Sequence, residues 1–289
     1  MSMLKKMLDR ILNKGEVPVG EGSVLQNQHT IGEESRVVGL TDAVRSGWYQ
    51  SETGELVNGF KIVPEDIVLD VGCGDGLATH FSARQGSHVI FTDVDPVKIE
   101  GVRKLVSGLG ARKLEGIVSD TDPLPLSDEY ATKILAMEML EHTEDPQQVL
   151  RELVRVGQPG AQYLISVPDS RSEIVQKPIA AESYFQKPNH IQIFDKDQFI
   201  SLVESSGLQI EAYKTTGFYW TIWWCLNWIE GKENAEGPVL DSVPLAKNEI
   251  LKHWACVWNS FLSHPGAADL IAKLNDALPK SQAVVARKP

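Results

Sequence analysis

Val68-Leu69-Asp70-Val71-Gly72-Cys73-Gly74-Asp75-Gly76 is the stretch on which the reading of this chain turns. With Ile67 before it, a short apolar run containing β-branched residues ends in closely spaced glycines, the pattern of a buried strand that stops at a tight turn. Glycines there let the backbone turn sharply and let a ligand approach it. A helical pattern follows through Leu77, Phe81 and Ala83. The same rhythm continues outward. Strands are expected at 88–93, 114–119, 133–137, 162–167 and 208–215, with helices at 96–109, 145–156 and 196–205. The closing SQAVVARKP returns to strand character. Strands and helices alternating at these lengths predict an α/β fold: a Rossmann-like, mostly parallel sheet with helices on both faces.

The turn also selects its ligand. A dinucleotide fingerprint requires G-x-G-x-x-G so that pyrophosphate can rest on a helix N-terminus. Here Leu77 stands at the third glycine position, and Asp70 and Asp75 bring two carboxylates to the turn. Carboxylates repel a pyrophosphate and tolerate a cation. S-adenosylmethionine (SAM) carries an ammonium and a sulfonium and no phosphate, so it suits this turn better than a nicotinamide dinucleotide. Asp93 ends the next strand about 20 residues further on, where a carboxylate can accept ribose hydroxyls. Asp95 is the alternative acceptor, and either residue could instead cap a helix.

Two further signals complete the pattern: Ser119-Asp120 ahead of Pro123, and Met137-Glu138-Met139-Leu140-Glu141-His142 ahead of Pro146. Together these motifs resemble the class I SAM-dependent methyltransferases, especially the broad group containing ubiquinone-biosynthesis and glycan O-methyltransferases. The resemblance runs from Ile67 to Thr215 and takes in the last strand near 283–288. It implies a seven-stranded sheet whose last strand is antiparallel. It implies that Asp70, Gly72, Cys73 and Gly74 surround the methionine part of SAM, that Asp93 holds the ribose with Val94 beside it, and that Asp120 and Thr121 meet the adenine edge. Met137 would offer backbone beside the methyl group. The chain departs from the family pattern at Ala131-Thr132, where a Phe-Asp pair is common, a position whose role there is structural.

Methyl transfer to a hydroxyl gains from a general base or from a metal that lowers the acceptor's pKa. Glu138, Glu141 and His142 are the candidates, and a helix beginning near Glu138 would set them on one face. His190, in PNHIQIFD, could join them. Three roles stay open: a divalent metal site, His142 or His190 as a metal-free base with Glu138, and side chains that only organise the loop.

The remaining sequence bounds the partners. The chain has 289 residues, 42% hydrophobic and 23% charged, which fits a globular protein. Its net charge of -11 and the lack of a long Lys/Arg cluster disfavour nucleic acid. Cys73, Cys225 and Cys256 form neither a disulfide framework nor a zinc knuckle, which suits a reducing cytoplasm. Four segments are expected: a helix and loop-rich extension over 1–45, the SAM-binding domain over 46–216, a helical Trp-rich insertion over 217–280, and the final strand over 281–289. Residues 14–46 show little periodicity and read as loop. Leu4, Met7, Leu8, Ile11 and Leu12 share one face of an N-terminal helix that could dock on its own domain, on a dimer partner or on an anionic membrane surface. Trp220, Trp224 and Trp228 form a stripe suited to core or homodimer packing, then to an acceptor pocket, then to a membrane interface. The reading is an O-methyltransferase with a sugar or polysaccharide hydroxyl as leading acceptor and a quinol precursor next. A non-catalytic SAM-binding subunit and a nicotinamide-dependent oxidoreductase are the rivals.

Overall fold

A computed structural model describes residues 31–231 and 249–289. The N-terminal amphipathic segment and the link between the two Trp-rich helices fall outside the described residues. By contact grouping the chain forms two compact units. One comprises Trp48–Pro168, Phe194–Lys214 and Gln282–Pro289, and the other comprises Asp169–Ile193, Thr215–Ser281 and the residues up to Gly47. Residues 169–193 thus group with the helical unit, whereas the sequence places them within the domain expected over 46–216.

The first unit is built on seven strands: β4 (Ile67–Val71), β5 (His88–Asp93), β6 (Lys113–Val118), β7 (Ala131–Met137), β8 (Gly157–Pro168), β9 (Gln209–Thr216) and β10 (Ser281–Arg287). Their order is β6-β5-β4-β7-β8-β10-β9. The pairs β4–β5, β4–β7, β5–β6 and β7–β8 are parallel. Strand β10 runs against β8, because the Asp169 N–H meets the Lys280 carbonyl while the Gly160 N–H meets that of Lys288. From β4 the chain fills the sheet on one side through β5 and β6, then crosses back to β7 on the other. The connections leaving β4 and β7 therefore diverge and open a crevice at the strands' carboxyl ends.

Strand β4 is almost wholly apolar because it is buried on both faces. The helices that cover the sheet are α2 (Leu77–Arg84), α3 (Pro96–Val106), α4 (Pro146–Val156) and α6 (Lys196–Ser205). Three of them start where an aspartate accepts an orphan N–H: Asp95 from Val97, Asp145 from Gln148, and Asp195 in a capping box with Gln198. Pro96 and Pro146 fill first-turn positions that need no N–H. Leu69, Val71, Ile134, Leu150, Leu153, Tyr163 and Phe199 lie in the resulting core. A separate three-stranded antiparallel sheet, β1 (Trp48–Gln50), β2 (Glu55–Val57) and β3 (Phe60–Lys61), precedes β4. Strands of two or three residues carry too little period to be read from sequence.

The second unit is helical: α1 (Ile31–Arg45), α5 (Ser170–Gln176), α7 (Phe218–Gly231), α8 (Glu249–Leu262) and α9 (Ala267–Ala277). Helix α1 corrects the expectation of a loop over 14–46 for the residues described. Its sequence has no marked apolar stripe, and packing and polar ties fix it instead: Tyr219 Oη donates to the Ser35 carbonyl at 3.2 Å, and Trp258 Nε1 donates to Asp42 at 2.9 Å. Trp223, Trp224, Trp228 and Trp258 are buried in this unit's own core, and Trp228 Nε1 finds Gln176 at 2.9 Å. Among the described residues no helix is long and apolar enough to cross a membrane.

Burial pushes the Asp42 carboxyl up to about 6, against the lowering effect of the Trp258 hydrogen bond. A carboxyl raised on folding binds more protons in the native than in the unfolded state between about pH 4 and 6, so its burden on stability grows through that window and is complete above it. Asp42→Asn keeps an acceptor for Trp258 and removes the buried charge. It should raise stability by roughly 1–3 kcal/mol at pH 8 and by much less at pH 4, measured by urea unfolding at both values.

Candidate functional site

The site begins at the carboxyl end of β4. Asp70 is only 3% exposed, and Thr79, one turn into α2, donates to its Oδ2 at 2.5 Å. Burial pushes the Asp70 carboxyl up to about 6; the Thr79 hydrogen bonds oppose the shift and the charge of Asp93 adds to it. Above that pH the carboxylate is ionised, and its hydrogen-bond partner is a neutral hydroxyl. Asp75, the other acid of the turn, is exposed, and Lys98 answers its charge at 3.0 Å. The buried anion of the turn is therefore Asp70.

Gly72 has φ 68° and Gly74 has φ 51°, both in the left-handed region that penalises a side chain. A Cβ at Gly72 would also lie 2.9 Å from Met139 Cβ, whereas one at Gly74 would meet open space. The Cys73 N–H donates to the Thr92 carbonyl at 2.8 Å. Burial, with Asp70 and Asp93 adding, pushes its thiol up, so Cys73 stays a protonated thiol.

Asp93 closes the turn from β5. Its Oδ2 accepts from the Gly74 N–H at 3.0 Å, and its Oδ1 accepts from the Asp95 N–H at 3.0 Å. Each carboxylate oxygen retains capacity for another donor. Asp95 serves as the cap of α3. Beyond Asp93 stand exposed apolar side chains, Val94 at 69% and Val118 at 54%, the latter opposite Asp93 in the β5–β6 register. The segment after β6 is tied back to this edge, with the Ser119 N–H donating to the Asp93 carbonyl at 3.0 Å. Asp120 is exposed and accepts from the Asp122 N–H, while Thr121 is buried with φ 69°. Arg155 braces the loop that follows, donating to the carbonyls of Leu124 at 3.0 Å and Leu126 at 2.9 Å. Its charge is met by Glu152 at 2.8 Å and Asp128 at 2.6 Å.

Met137 ends β7, half-buried. The expected helix from Glu138 is absent. Glu138 has φ 54°, which no right-handed helix admits, and its N–H and carboxylate both engage Ser166, at 2.9 and 3.1 Å. A single 3-10 turn, Leu140–His142, follows, and α4 starts only at Pro146. Glu138, Glu141 and His142 consequently do not share one α-helical face. Glu141 is buried, with an oxygen 3.7 Å from Nε2 of the exposed His142. His190 belongs to the helical unit, where its Nδ1 lies 3.0 Å from buried Glu173 and its ring centroid 4.3 Å from that of Tyr184.

Sequence reasoning missed Thr79 and Ser166, the partners of Asp70 and Glu138, and also Arg155 and Tyr49. None carries a spacing signal, since each is recruited by tertiary contact. Among the described residues, four that are not glycine have positive φ: Tyr49, Thr121, Glu129 and Glu138. Thr121 and Glu138 follow the carboxyl ends of β6 and β7, where the crevice opens, and such strain clusters at functional sites.

Residues 69–165 match the methyltransferase domain family. Among curated relatives, the ubiquinone biosynthesis O-methyltransferase of Aeromonas salmonicida is 27% identical over 163 residues, 56% of this chain and 65% of that protein. The protein of the same name from Hahella chejuensis is 33% identical over 106 residues, 36% of this chain and 44% of its own length. The chain thus spans less than two thirds of the length of these relatives. Among solved structures, the geranyl diphosphate C-methyltransferase of Streptomyces coelicolor superposes with a TM-score of 0.55 at 12% identity, over 94% of this chain and 85% of that one. The 4+2 cyclase SpnF gives 0.55 at 16% identity, over 99% and 96%. Two such different chemistries on one architecture mean that these superpositions speak for the fold alone.

A side chain at Gly72 meets both the backbone penalty and Met139, while one at Gly74 meets only the first. Gly72→Ala should therefore destabilise by about 2–4 kcal/mol and Gly74→Ala by about 1–2, compared by urea unfolding of the two variants.

Proposed function

We propose that this chain, whose residues 69–165 belong to the class I SAM-dependent methyltransferases, moves the methyl group of SAM onto an acceptor oxygen. The observation that carries this reading is Asp70: a buried carboxylate beneath an open glycine turn at the crevice of the sheet, held by a neutral partner. A cation satisfies it, and SAM brings one. In this reading Gly72, Cys73 and Gly74 pass along the methionine part, Asp93 accepts the ribose hydroxyls, and Val94 with Asp120 and Thr121 borders the adenine. Met137 lies beside the methyl group. A nicotinamide dinucleotide would bring its phosphates toward the Asp70 charge.

The reaction is an in-line displacement. A lone pair of the acceptor oxygen forms the new bond to the methyl carbon, the carbon–sulfur bond breaks, and its electrons leave on sulfur as a neutral thioether. Much of the catalysis is positioning, because SAM is already activated. The acceptor's proton goes to His142, which is exposed beside Glu141. A divalent ion on Glu141 and His142, with Glu138 as a further candidate ligand, would lower the acceptor's pKa instead. Loss of turnover in chelator, restored by magnesium, would favour that route over the metal-free base.

The acceptor is read as a phenolic hydroxyl of a quinol precursor. The relatives' names support this class. The leading sugar or polysaccharide reading of the sequence rests on the family resemblance and on the Trp-rich insertion as a pocket wall, and the burial of Trp223, Trp224, Trp228 and Trp258 in a core bears against the second support only. Transfer of labelled methyl from SAM should appear with ortho-dihydroxybenzenes and not with sugars. His142→Ala should lower kcat about 100-fold while S-adenosylhomocysteine (SAH) binds within twofold of wild type. Wild-type kcat in that variant would remove the base role. SAH binding without transfer to any acceptor would mark a non-catalytic SAM-binding subunit.

A further inference from the structure

The loop that follows β6 hangs between two anchors. At its start the Ser119 N–H donates to the Asp93 carbonyl at 3.0 Å. At its far end stands Leu124, a core residue, whose N–H donates to Glu152 Oε2 at 3.1 Å and whose carbonyl accepts from Arg155 Nη2 at 3.0 Å. Arg155 Nη1 donates to the Leu126 carbonyl at 2.9 Å and to Asp128 at 2.6 Å, and its Nε and Nη2 meet Glu152. All five guanidinium N–H groups are thereby engaged, in a fork that a lysine cannot reproduce. Arg155 lies in the last turn of α4, which runs into the start of β8, so it is rooted toward the end of the sheet opposite the crevice. Between the anchors lie Asp120, Thr121, Asp122 and Pro123. Thr121 is β-branched and buried at φ 69°, a conformation that its surroundings must impose. The Asp122 N–H holds one oxygen of the exposed Asp120 carboxylate at 3.2 Å, which leaves the other for a ligand donor.

We propose that Arg155 and Glu152 are positioning residues for base selection: their clamp on Leu124 and Leu126 holds the Asp120 carboxylate where it accepts from the 6-amino group of adenine and repels a 6-oxo purine. This role rests on the SAM reading of the crevice, in which Asp120 and Thr121 border the base, and it names what fixes them there. A carboxylate is an acceptor only, so it pairs with an exocyclic amine and opposes a carbonyl oxygen. Such a group discriminates to the extent that it is held in place, because a loop free to swing would turn its carboxylate away from the wrong base. The clamp supplies that rigidity. A shift of Leu124 would break its bonds to Glu152 and Arg155 together.

The test uses two ligands that differ at one position of the base. SAH carries the 6-amino group, and S-inosylhomocysteine carries a 6-oxo group in its place. In calorimetric titration the wild-type protein should bind SAH about tenfold more tightly than the 6-oxo analogue. Arg155→Lys keeps the charge and the alkyl stem and loses the fork. In that variant SAH affinity should fall about fivefold while S-inosylhomocysteine stays within about twofold of wild type, so that most of the preference disappears. An equal loss for both ligands would overturn the proposal, because it would mark the clamp as general support for the fold. A preference kept at its wild-type size in Arg155→Lys, or absent from the wild type, would overturn it as well, and both results leave the cofactor reading standing. Wild-type protein that binds neither ligand would bring down the cofactor reading itself. Should the melting temperature show that Arg155→Lys does not fold, Glu152→Gln keeps an acceptor for Arg155 and loses the charge, and the same shift in preference is expected of it.

Discussion

A buried carboxylate that faces a turn of bare backbone is the constraint around which the sheet unit is arranged. Asp70 must lie at the carboxyl end of β4, because there the divergence of the β4 and β7 connections leaves space above it. Being buried, it requires a fixed donor, and Thr79 supplies one from the first turns of α2. That bond in turn needs the chain to reverse from β4 into α2 within a few residues. Gly72, Gly74 and Gly76 make this reversal, all at positive φ. Asp93 then fastens the turn by accepting the Gly74 N–H. One acid sets the electrostatics, one sets the geometry, and the glycines keep the surface between them free of side chains.

At the carboxyl ends of the strands, acids stand at β4 (Asp70), β5 (Asp93) and just after β7 (Glu138), while Val94 and Val118 stand exposed at the ends of β5 and β6. An amphipathic ligand with a cation at one end and a flat base at the other matches that polarity. Apolar side chains so exposed at the end of a strand gain from being covered, and a purine face of comparable size is a suitable cover. The brace from Arg155 to the carbonyls of Leu124 and Leu126 holds the loop that follows this edge.

Sequence alone was sufficient where a residue's neighbours in the chain determine its state. The run from Ile67 to Val71, the capping aspartates and the glycine turn are local signals, so the strands and helices of the sheet unit stand close to where periodicity places them. It failed where tertiary contact decides. Residues 31–45 have no apolar stripe and still form a helix, because Tyr219 and Trp258 tie it down. The spacing of Glu138, Glu141 and His142 imitates a helical face, and the positive φ at Glu138, secured through Ser166, breaks it. Asp93 and Asp95 were indistinguishable as letters two apart, and in the structure Asp95 caps α3 while Asp93 binds the glycine turn. Tyr49 lies in a strand of three residues and gave no signal at all.

Binding of a cationic ligand in this crevice depends on Asp70 acting as its counter-charge. The most direct measurement is calorimetric titration of the wild-type protein with SAM from pH 5 to pH 8, with NAD run alongside. Besides burial, Thr79 and Asp93 are the groups that set the ionisation of Asp70. With its carboxyl at about 6, SAM affinity should rise about tenfold between pH 5 and pH 7 and level off above, as the ionised form becomes dominant. That rise should be absent in Asp70→Asn, and NAD should not bind. SAM affinity that ignores pH across this range in the wild type, or NAD binding more tightly than SAM, would contradict the account.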